Sequence, residues 1–178
     1  MRSETRHFPV GLTPAGIAHR GFTHGGFDHG GPSHVGLTHD SGWELAVRRA
    51  LPASAEDVWR RLLAEYLPQW LGVESIPQMV GAPIRHEGRV RGRVIGCHVG
   101  RRLRLRWTPA DLDHETVFQV TLQDSPEDPL WGTVIELHQE RLLGAAERQS
   151  LLEHWTTVLD ALVKDYTRES ERAQELQG

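Results

Sequence analysis

Apolar and polar positions alternate with the period of a β-strand over much of the chain from Trp43 onward. Residues 43–50 predict a first strand, which Pro52 ends. Turn residues then separate five further strand patterns, at 83–86, 90–98, 102–107, 116–123 and 132–140. In the strand at 116–123, Phe118 and Val120 share one face with Thr116 and Leu122. Short connections between these strands predict antiparallel pairing.

Helical periodicity occurs on either side of this run of strands. Ser54 is a predicted N-cap for a first short helix, and a second begins at Pro68 and stops at Gly72. A long C-terminal helix is predicted from about Ala145 to at least Tyr166. Its apolar stripe comprises Leu151, Leu152, Trp155, Val158, Leu159, Leu162, Val163 and Tyr166. Residues 169–178 lose this stripe, so we expect them to fray.

The order of elements predicts an α+β fold. A curved antiparallel sheet of about six strands wraps around the long C-terminal helix, and two short helices follow the first strand. We expect this domain to span residues 43–168. A sheet curved around one helix leaves a gap at its open end, and such a gap is a natural small-molecule site.

Residues 1–42 follow a different rule, because from Gly11 to Asp40 the sequence repeats every five residues. This period fits neither a helix nor a strand, and we expect the arm to be disordered. Its histidines are weak candidates for binding a transition metal: His19, His24, His29, His34 and His39. A translated DNA repeat upstream of the true start is another explanation of the arm.

Composition narrows the classes of function. Cys97 is the only cysteine, which excludes an intramolecular disulfide and a cysteine-rich zinc site. No apolar run is long enough to span a membrane, and no secretory signal is visible, so we expect a cytoplasmic protein. The net charge of −4 makes nucleic acid an improbable partner. The sequence has no P-loop or dinucleotide fingerprint, and we predict no cofactor.

Several ordered segments carry a resemblance to a known family. They include Gln-Trp-Leu-Gly at 69–72, Gly-Arg-Val at 92–94 and Trp-Thr-Thr-Val-Leu at 155–159. With the element order, they resemble the helix-grip fold of the SRPBCC (START-like) superfamily. Within it, the residues are similar to the family of homologues of the activator of the 90-kDa heat-shock-protein ATPase. His154 departs from the pattern, since the family often has Gly at this position.

Six Trp residues in a fold with an open gap favour an aromatic pocket wall. The candidate ligand-binding residues are Trp70, Trp107, Phe118, Trp155 and Leu159. The alternative for each residue alone is ordinary core packing.

For the other candidate residues, a structural or solvent-exposed role is the favoured interpretation. His98, His114, His138 and His154 lie on different elements and lack metal-ligand spacing, so we interpret them as surface or core residues. The segment Asp111–Glu115 contains acid and base groups, and we interpret it as a solvated loop. We assign Cys97 a structural role.

A cluster of arginines is predicted on the outer face of the sheet. Strand alternation places Arg89, Arg91 and Arg93 together, beside Arg104 and Arg106. The interpretation as a solvated face competes with a docking surface for an acidic partner or a phosphate-bearing molecule.

These observations leave three hypotheses for the function. The leading one is a non-catalytic protein that binds a small, mostly apolar ligand. The second is an enzyme of the cyclase or dehydratase type, which requires at least two titratable side chains converging inside the cavity. The third, implied by the resemblance, is a co-chaperone-like interaction module that acts through an outer surface.

Overall fold

One antiparallel sheet organises the chain. The computed structural model describes residues 37–38, 42–127 and 132–176, with the backbone alone for residues 37–38. Seven strands pair in the order β1-β2-β7-β6-β5-β4-β3. Their bounds are Leu37–Thr38 for β1, Gly42–Leu51 for β2, Pro83–His86 for β3, Arg89–His98 for β4, Arg102–Trp107 for β5, Thr116–Asp124 for β6 and Thr133–Leu142 for β7. The six strands predicted from the sequence are confirmed.

The two-residue strand β1 was not predicted. Leu37 pairs with Trp43 and Thr38 pairs with Gly42, so β1 forms a tight hairpin with the start of β2. The five histidines of the repeat lie outside the described residues, as do residues 1–36 and 39–41 of the arm at 1–42 that was expected to be disordered.

The helices after β2 form one interrupted segment. Helix α1 (Ala55–Arg61) continues through a π-helical turn (Leu62–Tyr66) into α2 (Leu67–Leu71). The Asp57 backbone N–H donates to Ser54 Oγ at 3.3 Å, which confirms the predicted N-cap. Gly72 ends α2 with φ +63°, a left-handed conformation that favours glycine.

Helix α3 (Ala145–Glu175) is longer than its apolar stripe indicates. Beyond Tyr166 it is held by Arg61, whose guanidinium lies 2.7 Å from Glu169 and 4.6 Å from the centroid of the Tyr166 ring. This contact explains why the helix continues past the last buried position. The fraying of residues 169–178 stays a prediction. No helix of the described residues is long and apolar enough to cross a membrane.

The core lies between the inner face of the sheet and α3. Phe118, Ile135, Leu137 and Leu159 are fully buried there. Register shifts interrupt the β2–β7, β3–β4 and β4–β5 pairings, and such bulges bend a sheet. Because α3 packs chiefly against β2, the inner face near β5 and β6 is left open at one end.

Candidate ligand cavity

A cavity of about 1060 Å³ opens between α2, the first turns of α3 and the loop that joins β5 to β6. Four of the five residues predicted to bind a ligand line it: Trp70, Trp107, Phe118 and Trp155. Leu159 is fully buried on the core-facing side of α3 and does not line the cavity. The cavity volume lies at the upper limit of the range for small-molecule sites.

The aromatic side chains form a continuous wall. The Phe118 and Trp155 ring centroids are 5.2 Å apart, and the Trp70 ring meets Trp155 edge-on at 6.3 Å. Trp155 and Phe118 are buried, whereas Trp70 is half-buried and closer to solvent. The wall therefore offers apolar area at depth and a partly exposed indole near the opening.

A chain of buried hydrogen bonds supports this wall from below. The indole Nε1 of Trp155 donates to Gln139 Oε1 at 2.8 Å, and Gln139 Nε2 donates to Thr116 Oγ1 at 3.0 Å. Thr116 Oγ1 in turn donates to the carbonyl oxygen of Trp107 at 3.0 Å. Sequence reasoning missed Gln139, although it occupies an inward position of the β7 alternation. A polar residue at such a position signals a buried hydrogen-bond network.

An ion pair at one side of the cavity mouth joins the β5–β6 loop to α3. His114 Nε2 lies 2.6 Å from Glu147 Oε1, and His114 Nδ1 lies 3.3 Å from the Glu115 carbonyl oxygen. Glu147 also accepts the Leu143 N–H at 2.6 Å, next to the N-cap of α3. Partial burial lowers the pKa of His114, but the bonds to Glu147 and Glu115 outweigh burial and raise the pKa above its ordinary value.

Both ring nitrogens of His114 face acceptors. A carboxylate and a carbonyl oxygen cannot donate, so the protonated ring satisfies both contacts as a double donor. The ring then has no lone pair free to remove a proton from a ligand. His114 therefore links α3 to the loop that joins β5 to β6 (residues 108–115), which we call the mouth loop.

The mouth loop is exposed to solvent at Asp111, Asp113 and Glu115, as the sequence indicated, and it also borders the cavity. Asp111, Asp113 and His114 all line the cavity, while Glu115 turns outward and lies 3.4 Å from Arg141. His154 also lines the mouth, with its ring 4.8 Å from that of Trp155. No hydrogen bond joins its ring to another described residue. Sequence alone could not place these groups together, because 33 residues separate His114 from its partner Glu147.

The remaining histidines and the cysteine lie away from the cavity. His138 is on the outer face, 3.2 Å from Glu44, and His98 is exposed at the end of β4. Cys97 is half-buried and packs against the core. Among the described residues, no group of three His, Cys, Asp or Glu side chains is placed to hold a metal ion.

The arginines of the cluster do not all lie on the sheet face that strand alternation predicts. In the β3–β4 ladder Ile84 pairs with Gly92 but Arg85 pairs with Val90, so Arg91 occupies a bulge. The bulge reverses the alternation, and Arg89, opposite His86, falls on the face that carries Ile84. The prediction that Arg89, Arg91 and Arg93 share one face is therefore wrong for Arg89.

Arg104 and Arg106 of β5 already have partners. Arg104 donates to Glu140 at 2.9 Å, and Arg106 lies 3.9 Å from Glu115. Arg91 donates to the carbonyl oxygen of Pro109 at 3.0 Å and so fastens the mouth loop from outside. Arg93, directly opposite Arg106, forms no ion pair within the described part of the chain. Docking of an acidic partner on this face stays a prediction.

Solved structures share this architecture. MLL2253 from Mesorhizobium loti matches with a TM-score of 0.54 and 20% identity, over 70% of this chain and 97% of that one. CalU16 from Micromonospora echinospora matches at 0.53 and 18%, over 67% and 71%. PFC0360w, an HSP90 activator from Plasmodium falciparum, matches at 0.50 and 12%, over 64% and 88%.

Neither a family model nor a curated protein sequence matches the chain. At these levels of identity the structural likeness concerns the fold, and it agrees with the resemblance carried by the sequence motifs. The curved antiparallel sheet, the long C-terminal helix and the helical segment after β2 give this chain a helix-grip fold, which it shares with these solved structures.

Proposed function

We propose that the protein binds a small, mostly apolar molecule in the cavity between the sheet and α3. The observation that carries this proposal is the aromatic wall of Trp70, Phe118 and Trp155 around an open volume of about 1060 Å³. Burial of an apolar ligand against such a wall is favourable because it removes apolar surface from water on both partners.

The polar groups of the cavity support binding over catalysis. Gln139 and Thr116 are buried and hydrogen-bonded to each other, while Gln139 also accepts from Trp155 and Thr116 donates to the Trp107 carbonyl oxygen. His114 has both nitrogens occupied, as described above. His154 has an unengaged ring, but no described side chain orients it as a catalytic base requires. The cyclase or dehydratase alternative therefore depends on His154 together with Asp111 and Asp113, which also line the cavity and form no ion pair with a described residue.

The proposal is tested by blocking the cavity mouth. Ser150 lines the cavity, and Ser170 lines a separate shallow depression on the same helix. We expect Ser150→Trp to weaken binding of the neutral probe N-phenyl-1-naphthylamine, measured by its fluorescence, while the matched control Ser170→Trp leaves it unchanged. Equal probe affinity in both variants and the wild type places binding elsewhere and refutes the proposal.

A further inference from the structure

The aromatic wall has a property beyond apolarity. The face of an indole ring carries partial negative charge and attracts cations, most strongly where the cation is partly removed from water. Trp70 is half-buried at the cavity and presents its ring near the opening, between Tyr66 at 5.5 Å and Trp155 at 6.3 Å. A ligand with a positive group near the mouth would gain this attraction in addition to the burial of its apolar part.

The charges around the cavity mouth also favour a cationic ligand. Of the described residues that line the cavity, none is Lys or Arg. Three carboxylates line the mouth, those of Asp111, Asp113 and Glu147, beside the imidazole rings of His114 and His154. His114 and Glu147 balance each other at 2.6 Å, and Asp111 and Asp113 form no ion pair with a described residue. The mouth therefore has an excess of negative charge, although both aspartates are exposed to solvent and screened by salt.

Arg104 and Arg106 sharpen this contrast because they lie on the opposite face of the sheet. Arg104 and Arg106 engage Glu140 and Glu115 on the outer face, and Arg91 reaches only the backbone of Pro109. An anionic ligand in the cavity would meet carboxylates and aromatic faces without a guanidinium to pair with. A cationic ligand would meet a field of the favourable sign.

We infer that the ligand is an apolar or aromatic molecule that carries a positively charged amine. Its body lies against Phe118 and Trp155, and its ammonium group lies at the mouth near Trp70, Asp111 and Asp113. This inference rests on the proposed binding function and specifies the chemical class of the ligand. The aromatic wall and the carboxylates carry it together, since either feature alone is common on protein surfaces.

Three probes that share a naphthylmethyl group and differ in charge test the inference. They are (1-naphthylmethyl)trimethylammonium, its neutral carbon isostere 1-neopentylnaphthalene, and the anion 1-naphthaleneacetate. Their dissociation constants are measured by isothermal titration at low ionic strength, with full-length protein. We expect the cation to bind about tenfold more tightly than the neutral isostere, and the anion to bind most weakly.

Two double variants separate the mouth charges from net charge. We expect Asp111→Asn with Asp113→Asn to reduce the preference for the cation several-fold and to leave the affinity of the neutral probe unchanged. The matched control, Glu171→Gln with Glu175→Gln, removes two charges from the exposed end of α3 and keeps the preference. If the neutral probe binds but the cation gains nothing, or the anion binds as tightly, the inference is wrong and the binding function stands. If no probe binds, the binding function itself fails.

Discussion

The indole Nε1 of Trp155 donates a 2.8 Å hydrogen bond to the side-chain oxygen of Gln139, and both side chains are buried beneath the cavity. This bond joins the long helix to strand β7 and fixes the orientation of the ring at the centre of the aromatic wall. It also satisfies two polar groups that would otherwise be buried without a partner.

Gln139→Leu should destabilise the protein by about 1–3 kcal/mol, because the Trp155 N–H then stays buried without an acceptor. Urea unfolding followed by circular dichroism measures this loss. Gln123→Leu, at the exposed end of β6, is the matched control and should change the free energy of unfolding little. An equal effect of the two substitutions would show that the buried bond contributes nothing specific.

Gly92 lies where two strands approach closely. A Cβ atom added there would be 2.1 Å from the Arg106 carbonyl oxygen, whereas one added at Gly96 would meet the Arg104 Cβ at an ordinary 3.5 Å. We therefore expect Gly92→Ala to cost at least about 2 kcal/mol of stability, and Gly96→Ala to be nearly neutral. Thermal unfolding of both variants checks this, and equal melting temperatures would contradict the register of β4 and β5.

The contribution of the His114–Glu147 ion pair at the cavity mouth depends on pH. Because the folded pKa of His114 is raised, its contribution to stability is fully present below the unfolded pKa near 6.5 and is lost as pH rises through the folded value. We expect the difference in unfolding free energy between wild type and His114→Gln to shrink from pH 6 to pH 9. The exposed His98→Gln serves as control, and a His114→Gln difference independent of pH would refute the ion pair.

The last turns of α3 depend on Arg61. Its guanidinium pairs with Glu169 at 2.7 Å and donates to Tyr66 Oη at 2.7 Å. Arg61→Gln should therefore cost about 1–2 kcal/mol and speed amide hydrogen exchange in residues 167–175. Arg168→Gln removes a more exposed arginine, 3.5 Å from Asp165, and should leave exchange unchanged. Rapid exchange in the wild type itself would support the predicted fraying from residue 169.

Local periodicity was sufficient to predict the strands and the inward positions, because burial on one face repeats every two residues. Phe118, Val120 and Leu122 are buried as the alternation of β6 indicates. Periodicity does not report where a ladder gains an extra residue, so the bulge at Arg91 and the reversal at Arg89 were missed. Periodicity also carries no information on contacts between residues that are distant along the chain.

The cavity was only partly predictable for the same reason. The aromatic residues were predicted from their type and from the gap that the fold leaves. The polar mouth depends on the loop at 109–114 folding back toward α3, which brings His114 to Glu147. Loop conformation is determined by such tertiary contacts and by turn geometry, and neither has a period in the sequence.

The most direct test of the account is a titration of protein labelled with ¹⁵N at its tryptophans, using 1-neopentylnaphthalene as a neutral probe. The indole N–H resonances of Trp70, Trp107 and Trp155 should shift, because these side chains line the cavity. The Trp59 resonance is the internal control, because this indole donates to Gln78 at 3.0 Å away from the cavity and should not move. Saturable shifts of the three cavity tryptophans without a shift of Trp59 are the predicted result. Binding that shifts Trp59 and leaves Trp70, Trp107 and Trp155 unchanged would contradict a ligand cavity between the sheet and α3.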